Sequence, residues 1–310
     1  NDLVEEGYDA VFIAGGAQAS KRIGIPGEEE ELEGLYYGLS FLSDIKRGTE
    51  ISLQGKTVVI GGGNVAIDVA RTSLRVGASD VQIFCLEPRD EMPAWEKEVG
   101  EAIEEGIVIN ASWGPQRILH ENSKVAGIEF IRCVSVFDDE GRFNPKFDES
   151  STQTVAADNV IVSIGQAPDT SFLSKDSQLE RALWGALVVD ENTLSTNIPG
   201  IFAGGDFTAG PTYVIRAIAS GRRAAIAIDK HLQGDKGRVK IVDEKTTMQQ
   251  DLGLALDEET TEERPRVPIE VETPEDRVKD FREVERGFTE DQARLEAVRC
   301  LRCDLEREKR

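Results

Sequence analysis

Histidine is scarce: the 310-residue chain holds two, His120 and His231. His120 falls in a polar turn and His231 at a helix end, so both read as structural residues, and no catalytic triad can be assigned. Basic residues are outnumbered, 36 against 58 acidic ones, giving a net charge of -22 and a pI near 4.6. Nucleic-acid binding is thereby excluded, since phosphates demand a basic surface. No apolar run approaches the roughly 18 residues of a membrane helix, and the acidic start Asn1-Asp2-Leu3-Val4-Glu5-Glu6 has no signal-peptide character. Cysteine is limited to four residues. Cys85 and Cys133 are isolated in apolar, strand-like runs and read as core thiols. Without a secretion signal, a reducing cytoplasmic compartment is expected. Trp95, Trp113 and Trp184 read as packing residues. There is no internal repeat at a fixed short period, and the length suggests about two domains.

What is present is a rhythm. From Tyr8 to about Gln233, apolar strands alternate with helices and tight glycine turns, an α/β pattern. The run from Tyr8 to Ala14 predicts a buried strand ending on Gly15-Gly16, and Leu35 to Lys46 has helical spacing. Gly55 to Ile60 predicts a strand opening onto Gly61-Gly62-Gly63. A helix is expected from Asn64 to about Val76, then a strand from Val81 to Leu86. Arg117 to Phe137 alternates as a β-ribbon around the turn Glu121-Asn122-Ser123. Asn159 to Ile164 predicts another buried strand, and Thr212 to Leu232 a long amphipathic helix. Beyond Gly234 the composition turns to Glu, Asp, Thr and Pro, with Pro265, Pro268 and Pro274 breaking any helix. A last helix is expected near Thr289, whose spacing to Gln292 matches a capping box.

Two motifs carry chemistry. In Gly61-Gly62-Gly63-Asn64-Val65-Ala66, a strand enters and a helix leaves. Gly61 permits the tight turn, Gly63 lets a pyrophosphate approach the backbone, and Ala66 allows close helix–strand packing. Phosphates would rest on the free N–H groups of the helix start. This predicts a dinucleotide site. Glu87, at the end of the next strand, can accept from the adenosine ribose hydroxyls, which favours NADH over NADPH. Arg89, two residues on, could instead meet a 2′-phosphate. The second motif runs from Ile201 through Gly204-Gly205-Asp206 to Gly210-Pro211-Thr212. It delivers a carboxylate after two glycines, where open α/β sheets present ligands, beside a second helix start.

Four blocks resemble a known family: Asp9 to Ala17, Gly61 to Ala70, Glu91-Met92-Pro93-Ala94, and Ile201 to Ala225. Together they are similar to the pyridine nucleotide–disulfide reductase superfamily, and most closely to its glutamate synthase small-subunit branch. The resemblance covers most of residues 8–233. It implies two Rossmann-like dinucleotide-binding domains. Residues 1–35 and 163–234 would form a partial FAD-binding domain, and residues 36–162 an inserted NAD(P)-binding domain. Residues 235–310 would be an extended acidic segment ending in a Cys-x-x-Cys helix. It further implies that Asp206 and Gly205 hold the FAD ribityl region, that Thr212, Tyr213 and Val214 approach the flavin edge, and that Gly15, Gly16 and Ala17, with Gly165, lie at the crossings between domains. The family's first glycine fingerprint is expected upstream of Tyr8. With the missing initiator Met, this predicts that the chain is part of a longer polypeptide.

Cys300 and Cys303 form the remaining pair. Two thiols three residues apart can ligate a metal or form a redox disulfide. The segment around them is similar to cluster-binding segments of this branch, which implies a 4Fe-4S cluster completed by another segment, because two thiolates are half a cluster's ligands. The expected function is hydride transfer between NAD(P)H and FAD, with electrons passed to iron–sulfur or other redox subunits of a larger complex. Such transfer needs no acid–base residue from the protein. The alternative is a degenerate nucleotide-binding scaffold, which bound flavin bleached by NADH would exclude.

Overall fold

Gly61 stands where the central strand of a five-stranded parallel sheet turns into a helix. The computed structural model describes residues 3, 6–174, 176–234 and 265–298. It divides into two compact units, Asn1–Ile241 and Val242–Arg310, each described by itself.

In the first unit, β1 (Val11–Ile13) and β2 (Ala19–Ser20) lead into β3 (Leu35–Tyr37) and α1 (Gly38–Lys46). Then follow β4 (Lys56–Ile60), α2 (Asn64–Arg75), β5 (Asp80–Phe84), a short 3-10 turn (Arg89–Glu91), α3 (Glu96–Glu104) and β6 (Val108–Asn110). Strands β3, β10 (Asn159–Val162), β4, β5 and β6 form the sheet in that order, all parallel. Period-two alternation divides their side chains between two cores. Val59, Ile161 and Ile83 face the helices, where Phe41, Ala66, Ile67, Ala70, Val99 and Ala102 are buried. Val58, Ile60, Val160, Val162 and Phe84 face the other way, onto Ile118, Ile128 and Phe130. Those come from an antiparallel meander of β7 (Trp113–Glu121), β8 (Lys124–Phe137) and β9 (Phe143–Ala156). Phe84 and Phe130 stack across this layer at 4.0 Å and 10°. Asn122 and Ser123 close β7 onto β8 with φ of 49° and 60°, the double positive-φ turn that suits a tight hairpin.

A smaller parallel pair joins β1 to β12 (Ile201–Ala203). Phe207, Leu179 and Leu187 pack beside it with Ala203. Strand β12 runs into the single turn α4 (Asp206–Ala209) and then α5 (Val214–Gln233). Between the two sheets the chain passes twice. The two passages pair antiparallel as β2 and β11 (Gln166–Ala167), and the Lys21 N–H donates to the Gly165 carbonyl at 3.1 Å.

Between α2 and the C-terminal end of α3 lies a largely buried ion network. The Glu105 side chain is fully buried and accepts from Arg71 at 2.6 Å and Arg75 at 2.9 Å. Burial alone would raise the Glu105 carboxyl, but hydrogen bonds and charges from Arg75 and Arg71 outweigh it and hold the group below its ordinary range.

Several elements differ from expectation. Leu35–Tyr37 is a strand, and helix α1 begins only at Gly38, because those three residues pair with β10. Strand β5 stops at Phe84, so Glu87 lies in the following loop. The ribbon has a third strand, Phe143–Ala156, and it begins earlier, at Trp113. His120 belongs to strand β7, and its Nε2 lies 3.2 Å from Glu30. His231 packs its ring edge-on to Phe202.

In the second unit, α6 (Pro274–Arg277) is capped by Thr273, which accepts from the Asp276 N–H. Helix α7 (Glu290–Val298) opens with a reciprocal capping box: the Thr289 N–H donates to Gln292 at 2.8 Å, and the Gln292 N–H to the Thr289 hydroxyl at 3.3 Å. Among the described residues no helix is long and apolar enough to cross a membrane.

Candidate dinucleotide sites

Strand β4 is buried along Thr57 to Ile60 and carries the chain to the carboxyl edge of the sheet. There the Gly61 N–H donates to the Phe84 carbonyl at 2.8 Å, and Gly61 adopts φ +138°. A Cβ at Gly61 would stand 2.2 Å from the Ser163 carbonyl oxygen, so only glycine fits the turn. Gly63 differs: its φ is -92°, it caps α2, and a Cβ there would meet nothing within 4 Å. The first-turn amides of α2, beginning with Asn64 and Val65, therefore lie next to open space, with the positive end of the helix dipole behind them. That is the cradle a pyrophosphate needs, and the residues fit a nicotinamide dinucleotide.

The loop is braced by the segment that follows Glu91, which carried the family resemblance in the sequence but no assigned role. The Ala94 N–H donates to the Gly62 carbonyl at 3.1 Å, and the Trp95 N–H to Asn64 Oδ1 at 2.8 Å. Met92 and Ala94 are buried beneath it. Residues 31 positions apart thus share one hydrogen bond, which no short-range spacing reveals.

Glu87 reaches the same loop. A Cβ on Gly62 would lie 2.8 Å from Glu87 Oε2, so the carboxylate stands directly beside the glycine turn. Arg89 does not point free: its two terminal nitrogens contact Glu96 at 3.1 and 3.0 Å. Thus Gly61, Gly62, Gly63, Asn64, Val65 and Glu87 converge on one edge, with Arg89 held at its side.

The second cluster forms a cleft of about 150 Å³ lined by Phe12, Ala14, Gly16, Gly204, Gly205, Asp206 and Ala217. Gly16 and Gly205 have positive φ, +70° and +66°. A Cβ on Gly204 would meet Ser220 Oγ at 2.4 Å, and the same hydroxyl accepts from the Gly205 N–H at 2.9 Å. Ser220 was missed in the sequence, where it sits unmarked among Ala219 and Gly221. Asp206 Oδ1 accepts from both the N–H and the hydroxyl of Thr212, at 3.1 and 2.9 Å. Backbone brought this close, with a carboxylate at its edge, fits a second dinucleotide such as FAD. Tyr213 and Val214 are exposed beyond Thr212. Ala17 is buried, and Gly165 borders the paired passage between the sheets.

The remaining thiols divide in two. Cys85 and Cys133 are buried and free. Burial, reinforced by Glu87, pushes Cys85 up to about 12 and raises Cys133, so both are core thiols. Cys300 and Cys303 lie outside the described residues. Among those described, no group of three or more His, Cys, Asp or Glu is placed to hold a metal.

The profile of the pyridine nucleotide-disulphide oxidoreductases matches residues 2–221. The chain is 40% identical over 307 residues to the NADP(+)-dependent formate dehydrogenase subunit beta of Moorella thermoacetica, covering 97% of this chain and 43% of that protein. It is 36% identical over 250 residues to the glutamate synthase [NADPH] small chain of Escherichia coli K12, covering 75% of this chain and 52% of the relative. The chain thus spans about half the length of the curated relatives it matches. Among solved structures it resembles the thioredoxin reductase of T. acidophilum, with a TM-score of 0.53, 26% identity, and coverage of 71% of this chain and 64% of that one.

Proposed function

Because this chain belongs to the pyridine nucleotide-disulphide oxidoreductase family, we propose that it forms the nicotinamide-binding part, and a portion of the flavin-binding part, of an NAD(P)H-dependent FAD oxidoreductase that passes electrons to a redox partner in a larger complex. The observation that carries this reading is the glycine turn of residues 61–63, with its open helix start and the flanking carboxylate of Glu87.

The chain's residues do the binding and the positioning. The α2 amides take the pyrophosphate, Gly61 keeps the turn close to the sheet, and the 92–95 segment holds the loop rigid. Glu87 accepts from the adenosine ribose and biases the site toward NADH. The two relatives named above carry NADP or NADPH in their names; against them, the NADH preference rests on Glu87 and the held Arg89 of this chain. At the second cleft, Asp206, fixed by Thr212, would accept from the ribityl hydroxyls of a bound flavin, and Thr212, Tyr213 and Val214 would be the residues next to it. Residues 1–35 and 163–234 make up the flavin side and residues 36–162 the nicotinamide side, with Gly15, Gly16, Ala17 and Gly165 at the passages. Bound flavin supplies the chemistry of accepting a hydride and releasing electrons.

Cys300 and Cys303 would supply two thiolates to a 4Fe-4S cluster completed by another segment, and such a cluster would supply one-electron transfer toward iron–sulfur or other redox subunits in a reducing cytoplasm. Changing both to alanine would remove cluster iron from the assembled complex and leave flavin reduction by nicotinamide intact. Iron analysis with electron paramagnetic resonance tests this, and an unchanged iron count would contradict it. The principal experiment for the reading as a whole is anaerobic addition of NADH or NADPH to the full-length flavoprotein. Loss of the oxidised-flavin absorbance supports it, and no reduction by either nucleotide overturns it.

A further inference from the structure

Glu96 is the first residue of α3, and the residue before it, Trp95, is hydrogen-bonded to Asn64 of the dinucleotide loop at 2.8 Å. The Glu96 carboxylate is largely exposed, yet it takes the Arg89 guanidinium in a two-point contact, Nη1 to Oε2 at 3.1 Å and Nη2 to Oε1 at 3.0 Å. Arg89 lies two residues beyond Glu87, whose carboxylate stands beside Gly62. One short stretch therefore carries both charges that could meet the 2′ position of an adenosine ribose: a carboxylate aimed at the loop and an arginine turned onto a helix terminus.

A guanidinium fork and a phosphate match in the same planar, two-point way as a guanidinium fork and a carboxylate. Glu96 and a 2′-phosphate are thus alternative partners for one group. The helix start also favours a negative side chain at Glu96, which strengthens the intramolecular choice. We propose that Glu96 is a specificity-determining residue: by occupying Arg89 it withholds that cation from a 2′-phosphate and leaves Glu87 to select the free ribose hydroxyls of NADH. The inference rests on the assignment of residues 61–65 as the nicotinamide dinucleotide site. It adds that discrimination is set by a pair outside the glycine turn.

The contact is exposed, so its effect is modest and depends on salt. Pairs of this kind typically shift an equilibrium by a few-fold. In Glu96→Gln the fork is released, and NADPH affinity is expected to rise about three- to tenfold while NADH affinity changes less than about twofold. The gain should shrink at high ionic strength. It should vanish in Glu96→Gln/Arg89→Gln, because the cation it frees is gone. Isothermal titration of the full-length protein with each nucleotide reads these affinities directly and independently of turnover. A Glu96→Gln variant with unchanged NADPH affinity, or with equal gains for both nucleotides, overturns the proposal while the nucleotide site stands. A wild-type protein that binds neither nucleotide overturns the site assignment, and the proposal with it.

Discussion

A side chain on Gly61 would begin 2.2 Å from the carbonyl oxygen of Ser163, whereas one on Gly63 would meet nothing within 4 Å. The two glycines of one turn therefore serve different ends. Gly61 is required by the fold, with φ +138° and the Ser163 carbonyl against it. Gly63, with φ -92° and open space beside it, is not required by the fold.

These roles separate by mutation. Gly63→Val should leave the thermal transition nearly where it is and lower nucleotide affinity by about thirtyfold or more, since a branched side chain fills the pyrophosphate's place. Gly61→Ala should cost more than about 2 kcal/mol, combining a positive-φ penalty with a backbone clash. Thermal unfolding and calorimetric titration of both variants check the pair. Equal nucleotide affinity in Gly63→Val and wild type would remove the assignment.

Glu105 sets an acid limit for the α2–α3 layer. Its folded-state carboxyl is held below the ordinary value of 4.5 by Arg75 and Arg71. Its stabilisation is fully present above about that pH and is lost as the pH falls through the depressed folded value. Glu105→Gln leaves two largely buried arginines short of a partner and should cost about 3 kcal/mol at neutral pH. The gap between variant and wild type should narrow as the solution is acidified below that ordinary value. Urea unfolding against pH measures it, and a gap that stays constant through that range would contradict the assignment.

Much of this was legible in the sequence. The strand–turn–helix at Gly61 has local causes, as does the capping box at Thr289 and Gln292, and each appears in the structure as read. The meander's outer strand was not legible. Phe143–Ala156 contains Pro145 and a largely polar alternation, because it lies at the edge of its sheet with few buried side chains. Leu35–Tyr37 was misread because its three residues run directly into a helix of similar apolar spacing, and only pairing with β10 marks them as a strand. The Asn64–Trp95, Arg89–Glu96 and Gly205–Ser220 contacts depend on how helices and the turns beside them meet in three dimensions.

Thiol chemistry distinguishes core from candidate ligand. Cys85 and Cys133 are buried, with thiols raised by that burial, so neither should react with a disulfide reagent in the native protein at pH 8. Both should appear on unfolding. A Cys300→Ser/Cys303→Ser variant should therefore show essentially no fast thiol from this chain. Mass mapping of the modified residues tests this, and rapid labelling of Cys85 or Cys133 would contradict it.

Cofactor choice should turn on Glu87. Glu87→Ser removes the ribose acceptor and a negative charge beside Gly62, so it should raise the ratio of NADPH to NADH efficiency in flavin reduction by about tenfold. A ratio unchanged from wild type would show that Glu87 does not govern the site.

Nicotinamide bound at residues 61–65 is proposed to reduce a flavin held by the same protein. Anaerobic titration of full-length wild type and Gly63→Val with NADH and NADPH, followed by flavin absorbance, tests it most directly. The wild-type flavin is expected to bleach. The variant's flavin should stay oxidised at the same nucleotide concentration and yield only to dithionite. Equal bleaching in both proteins, or none in the wild type with either nucleotide, would contradict it.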